Sequence, residues 1–161
     1  MTIKPGDTIP DVTLKIFGAG GMEEIKTKDL FKGKKTVMFG VVGAFTPTCA
    51  QQHLPDYLKL SNDILAKGID QIICVAVNDP FVMHHWETVS GASGKILMLP
   101  DGNADFTKAM GLDMDGSAFG LGTRSQRYAM IITNGVVDEL EIEKSPTEMQ
   151  ATAADVCLGK L

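Results

Sequence analysis

The apolar runs in this chain are short, and they alternate with amphipathic stretches. Thr36 to Val42 is a continuous run of β-formers and predicts a strand buried on both faces. From Ala50 to Lys67 the residues Leu54, Tyr57, Leu58, Ile64 and Leu65 fall at helical spacing on one face, with Gly68 as a stop. Gln71 to Val77 repeats the buried-strand pattern. Asp79-Pro80 then opens a second helix, with Asp79 as N-cap and Pro80 at the first helical position. Phe81, Val82, His85, Trp86 and Val89 supply its apolar spacing. Lys95 to Leu99 predicts a third strand, ending in the turn Pro100-Asp101-Gly102. Arg127 to Thr133 and Val136 to Ile142 flank Asn134-Gly135, the strongest short hairpin signal. Ser145-Pro146-Thr147-Glu148 reads as a capping box that opens a last helix, which stops near Gly159. At the other end, Val12 to Phe17 alternates weakly before Gly18-Ala19-Gly20-Gly21, which predicts an N-terminal hairpin.

The predicted order is β-α-β-α-β, then an antiparallel hairpin and a helix. Parallel strands crossed over by helices, with an antiparallel edge pair, make a mixed sheet between helices. The class is therefore α/β. A β-α-β unit joined to a β-β-α unit is the thioredoxin-like arrangement, one of several α/β options at this point. No repeat, linker or low-complexity tract divides the 161 residues, so residues 1–161 read as one domain.

Composition narrows the function classes. Hydrophobic content of 44% is ordinary for a globular protein. A net charge of −5 argues against non-specific binding to nucleic acid or to an anionic membrane. Three cysteines are too few and too odd a number for a disulfide framework, and they point to free thiols in a reducing compartment. Met1 to Pro10 has no basic region followed by an apolar run, so the expected location is the cytoplasm. Gly91-Ala92-Ser93-Gly94-Lys95-Ile96 fails as a phosphate loop, because Ile96 stands where a hydroxyl is needed. His53, His84 and His85 show no metal spacing and read as surface or packed helix residues.

One segment carries chemistry. Thr46-Pro47-Thr48-Cys49 lies between a buried strand and an amphipathic helix, with the spacing of a redox Cys-x-x-Cys whose first Cys is Thr. A Cys in the first turn of a helix faces unpaired N–H groups and the positive end of the dipole, and both favour the thiolate. Without a partner in the motif, Cys49 cannot act as a dithiol. A lone activated thiolate suits attack on a peroxide O–O bond, giving a sulfenic acid.

Gly43-Ala44-Phe45-Thr46-Pro47-Thr48-Cys49, followed by His53-Leu54-Pro55, resembles the active-site segment of peroxiredoxins, and within them the type-five subfamily that includes the plant type II enzymes. Val77-Asn78-Asp79-Pro80-Phe81-Val82-Met83 with Trp86, and Gly120-Leu121-Gly122-Thr123-Arg124-Ser125-Gln126-Arg127-Tyr128-Ala129, are similar to two further signatures of that subfamily. The resemblance implies a thioredoxin-like fold with an N-terminal β-hairpin extension. It implies Cys49 as peroxidatic nucleophile, and Thr46 hydrogen-bonded to peroxide and thiolate. Arg127 would stand beside Cys49, stabilise the thiolate and help bind the peroxide. Backbone N–H groups near Gly43 and Cys49 would hold the peroxide oxygens. Before the resemblance, Arg127 read as an exposed residue opening a hairpin strand. One departure stands out: these proteins generally carry Pro four positions before the motif Thr, and here that residue is Val42.

Cys74 has two open readings, a packed core thiol or a resolving cysteine of the plant type II kind. Cys157 reads as packing on the last helix, beside Met149, Ala153 and Val156. The expected activity is reduction of hydrogen peroxide and small alkyl hydroperoxides. The resemblance implies recycling by glutathione with glutaredoxin, or by thioredoxin. It implies no cofactor and no metal, and a homodimer formed through the surface around the active-site loops. A redox sensor using the same Cys49 is the rival from another class; a disulfide reductase is a second, disfavoured by the missing motif Cys.

Overall fold

The computed structural model describes residues 1–161. Strands β1 (Thr13–Gly18) and β2 (Gly21–Lys26) form the N-terminal antiparallel hairpin, and the short helix α1 (Thr27–Phe31) follows. β3 (Lys35–Gly40) is the first buried strand. After a loop over residues 41–48, a π-helical turn (Cys49–His53) runs into α2 (Leu54–Lys59) and α3 (Ser61–Leu65). β4 (Gln71–Ala76), α4 (Pro80–Ser90), β5 (Leu97–Pro100) and α5 (Asp105–Ala109) follow. A small hairpin of β6 (Asp113–Asp115) and β7 (Thr123–Ser125) precedes β8 (Tyr128–Thr133), β9 (Val136–Ile142) and α6 (Ala154–Gly159).

The central sheet has the order β5-β4-β3-β8-β9. β3, β4 and β5 run parallel, while β8 and β9 are antiparallel. This is the mixed sheet the sequence predicts. Asp79 caps α4 by accepting from the N–H groups of Phe81 and Val82, both at 2.9 Å. Asn134 and Gly135 both have positive φ, 49° and 79°, as the tight β8–β9 turn requires.

Three expectations are corrected. The stretch from Ala50 to Lys67 is not one helix: it starts as a π-turn and breaks at Leu60, whose φ and ψ are −98° and 7°. The last helix does not start at Ser145. It starts at Ala154, because residues 143–153 form a loop whose carbonyls accept from Arg127 and from Tyr57 of α2. On α4 the buried residues are Met83 and Trp86, while Phe81 and Val89 are exposed.

Sheet parity positions the site. Alternate residues of a strand face opposite sides. Val37, Phe39, Ile72, Cys74, Ala129 and Ile131 pack on the side covered by α2, α3, α4 and α6. Met38, Ile73, Val75, Tyr128, Met130 and Ile132 pack on the other side, against α1 and α5. Residue 127 shares the parity of 129 and 131, so it is directed to the α2 side. Gly40 faces Tyr128, with which it pairs in register. A Cβ on Gly40 would lie 2.0 Å from Tyr128 Cε1. Gly40→Ala is therefore expected to destabilise the fold by about 1–3 kcal/mol through overpacking, read from urea unfolding.

Candidate active site

β3 ends at Gly40, but Val41 still donates to the Val75 carbonyl at 3.0 Å, so the chain leaves the sheet in strand direction. It then turns sharply. Ala44 N–H donates to Asn78 Oδ1 at 2.8 Å, which ties the loop to the β4–α4 turn. Phe45 takes a left-handed φ of 63°, an uncommon conformation for a bulky residue, and its ring is half exposed near Trp86 and His85. Pro47 fits the first helical turn, where its missing N–H costs nothing. The Thr46 carbonyl accepts from Ala50 N–H at 2.9 Å. Cys49 thus lies in the first turn of the helical segment and is fully buried.

Arg127 enters this pocket from the opposite element. It is 1% exposed. Its Nη2 donates to Cys49 Sγ at 3.0 Å, and its Nη1 lies 2.7 Å from His53 Nδ1. Nε and Nη2 also donate to the Pro146 carbonyl, at 3.1 and 3.0 Å. The Pro146 carbonyl is thus committed to the guanidinium, while Ser145 bonds only locally, to Thr147 and Glu148. Of the groups bonded to Arg127, only Cys49 can carry negative charge. The four ion pairs of the protein all lie elsewhere. The reading of Arg127 as exposed is overturned by sheet parity and by the 143–153 loop that covers it.

His53, read from the sequence as a surface or packed helix residue, is the packed kind, with polar partners that its spacing did not indicate. It is fully buried, and its Nε2 lies 3.2 Å from the Thr152 carbonyl. Burial pushes its pKa down to about 3, the charge of Arg127 pushes the same way, and the Thr152 carbonyl opposes them. The ring is neutral at pH 7. Since Arg can only donate, Nδ1 is the acceptor and Nε2 carries the proton. Thr152 is held in turn: its N–H and hydroxyl donate to Glu143 Oε1 at 2.8 and 3.0 Å, and its carbonyl also accepts from the Tyr57 hydroxyl at 2.9 Å. No local signal points to Thr152, because its partners His53 and Tyr57 are distant in sequence, and Glu143 acts on the site through Thr152.

A buried neutral His makes stability pH-dependent. The unfolded chain protonates His53 near 6.5, while the folded chain resists until about 3. The stabilising contribution is whole above pH 6.5 and is lost as pH falls toward 3. The loss from this residue is about 2 kcal/mol by pH 5. Urea midpoints measured from pH 7 to pH 5 are expected to fall, and His53→Asn is expected to flatten that slope.

Thr46 differs from expectation. Its hydroxyl donates to the Gly43 carbonyl at 2.7 Å, not to the Cys49 sulfur. With its proton committed, the oxygen is left as an acceptor. Gly43 is closely packed: a Cβ there would lie 2.7 Å from Arg124 Nη1 and 3.3 Å from the Thr46 methyl. Arg124 is fixed by its own bond to the Leu121 carbonyl at 2.9 Å. Cys74, on β4, is fully buried on the same face of the sheet, and burial pushes its thiol well above the usual range, with the nearby Cys49 adding to the rise. Cys157 is buried in the core on α6, although Val156 beside it is exposed.

A mixed sheet of this topology, with a buried Cys in the first helical turn after β3, defines a thioredoxin-like redox protein. A family model described as Redoxin matches residues 4–157. The chain is 42% identical to Peroxiredoxin-2E-2, chloroplastic, of Oryza sativa subsp. japonica, over 96% of this chain and 71% of that protein. It is 44% identical to Peroxiredoxin-2C of the same organism, over 86% of each. The crystal structure of reduced Prx3 from Vibrio vulnificus in complex with hydrogen peroxide superposes with a TM-score of 0.94 at 48% identity, covering 99% of both chains. The chain belongs to the peroxiredoxin family and is a thiol peroxidase. No helix in it is long and apolar enough to cross a membrane.

Proposed function

We propose that Cys49 reduces hydrogen peroxide and small alkyl hydroperoxides, with Arg127 and Thr46 binding the peroxide. The observation that carries this reading is the 3.0 Å bond from a buried guanidinium to Cys49 Sγ, where no carboxylate competes for the charge. The Cys49 thiolate attacks the terminal peroxide oxygen. An S–O bond forms, the O–O bond breaks, and the electron pair leaves on water or alcohol oxygen, which takes a proton from solvent. Sulfur is oxidised to sulfenic acid and the peroxide is reduced. Arg127, with the N–H groups near Gly43 and Cys49, stabilises the charge that grows on the leaving oxygen. Thr46 Oγ accepts the peroxide O–H and orients the molecule, since its own proton is held by Gly43.

Recycling uses two thiol equivalents from glutathione with glutaredoxin, or from thioredoxin: the first releases water as a mixed disulfide forms, the second frees Cys49. Full burial of Cys49 means that a protein thiol reaches it only after the Cys49–His53 turn opens. The raised pKa and burial of Cys74 favour an external thiol over Cys74 as the resolving group. Val42 is buried and shields the site as Pro would, without fixing the backbone. Exposed Phe45, Phe81, Val89 and Phe119 offer an apolar surface for a homodimer. Three free thiols suit a reducing compartment, and the location proposed is the cytoplasm.

Peroxide treatment followed by intact mass and peptide mapping tests this. With glutathione present, the adduct is expected on Cys49 with Cys74 still reduced. A Cys49–Cys74 disulfide would replace the one-cysteine cycle by an intramolecular one. Oxidation once, without turnover in excess donor, would favour the sensor.

A further inference from the structure

The guanidinium of Arg127 is gripped from both ends of one helical turn. Cys49 and His53 are four residues apart and share a face. Cys49 Sγ takes Nη2 and His53 Nδ1 takes Nη1, so the planar fork lies between them. The Pro146 carbonyl occupies the remaining edge. If His53 served only packing, contact with Phe39 and Tyr57, at centroid distances of 4.8 and 5.4 Å, would suffice and any apolar ring would do. Instead its ring is locked by a donor bond to the Thr152 carbonyl, which fixes Nδ1 as the acceptor facing Arg127.

We propose that His53 is a positioning residue for the peroxidase reaction, acting through Arg127: its Nδ1 holds the guanidinium so that Nη2 is aimed at the Cys49 sulfur. The proposal rests on the reading of Cys49 as nucleophile. Besides Cys49 and Arg127, the titratable groups around His53 are Tyr57 on α2 and, behind Thr152, Glu143. None of these can replace the Nδ1 acceptor without rebuilding the loop.

Three variants separate the two nitrogens. His53→Asn keeps an acceptor near Nδ1 and loses the donor at Nε2. His53→Gln keeps the donor and loses the acceptor. His53→Leu loses both. The readouts are the second-order rate constant for hydrogen peroxide by stopped flow, the pH midpoint of thiolate absorbance, and thermal unfolding. His53→Asn is expected to stay within a few-fold of the parent. His53→Gln and His53→Leu are expected to react about 10²-fold more slowly, the scale of a misplaced catalytic group, with the thiolate midpoint moved to higher pH. Equal rates in all three variants, whether fast or slow, overturn the proposal even if unfolding temperatures differ. If His53→Leu does not fold, the Asn and Gln pair decides alone. Failure of the underlying reading looks different: Cys49→Ser would then keep the fast peroxide reaction of the parent.

Discussion

Cys49→Ser is expected to lower peroxide turnover to the uncatalysed background. A serine hydroxyl at this position has the same neighbours, including the donor from Arg127, but it is a poor nucleophile at neutral pH without a general base. The only imidazole nearby, His53, already directs its lone pair to Arg127, so none is free to activate a hydroxyl. Neither remaining cysteine can take over. Cys74 is fully buried and burial raises its thiol pKa. Cys157 is raised chiefly by burial as well. A coupled assay with saturating thiol donor should therefore show flat traces for Cys49→Ser. Cys74→Ser and Cys157→Ser should keep the initial oxidation step. Full turnover by Cys49→Ser would end the proposed mechanism.

Arg127→Leu is expected to cut the second-order rate constant with peroxide by roughly 10²–10³-fold, the usual loss when one fixed donor to a developing oxyanion is removed. The effect has two sources. The leaving oxygen loses a donor, and the Cys49 sulfur loses the guanidinium that bonds it. Arg127→Lys should recover only part of the rate. An ammonium is a point donor and cannot bond Cys49, His53 and Pro146 together in the plane that the fork uses. Stopped-flow oxidation under excess peroxide gives the constant directly. Unfolding curves run beside it separate chemistry from stability, because Arg127→Leu also leaves the Pro146 carbonyl and His53 Nδ1 without a donor. A folded Arg127→Leu protein with the parent's rate constant would remove Arg127 from the reaction.

The readable parts of this molecule are those whose cause is local. Asn134-Gly135 predicts its hairpin because both residues tolerate the positive φ that the turn imposes. Asp79-Pro80 predicts the start of α4 because cap and first residue are adjacent. Cys49 is legible because its place in the first turn after a buried strand is set by adjacent residues, although its partner Arg127 is not. The failures have non-local causes. Ser145-Pro146-Thr147-Glu148 has a good capping pattern, yet the Pro146 carbonyl is claimed by a side chain 19 positions earlier. His53 looks unremarkable until Arg127 and Thr152 reach it across 74 and 99 positions. The proton on Thr46 is fixed by loop geometry that spacing does not encode. On α4 the apolar spacing admits two faces, and packing against the sheet selects the one with Met83 and Trp86.

Arg127 meets Cys49 across 78 positions of chain, and Pro146 and Thr152 close the pocket later still. Synthesis runs from the N-terminus, so most of the polypeptide must leave the ribosome before the sulfur gains its cationic neighbour. On the proposed mechanism, a chain that stops before Arg127 has its thiol without that donor, so the complete site is acquired only late in biosynthesis.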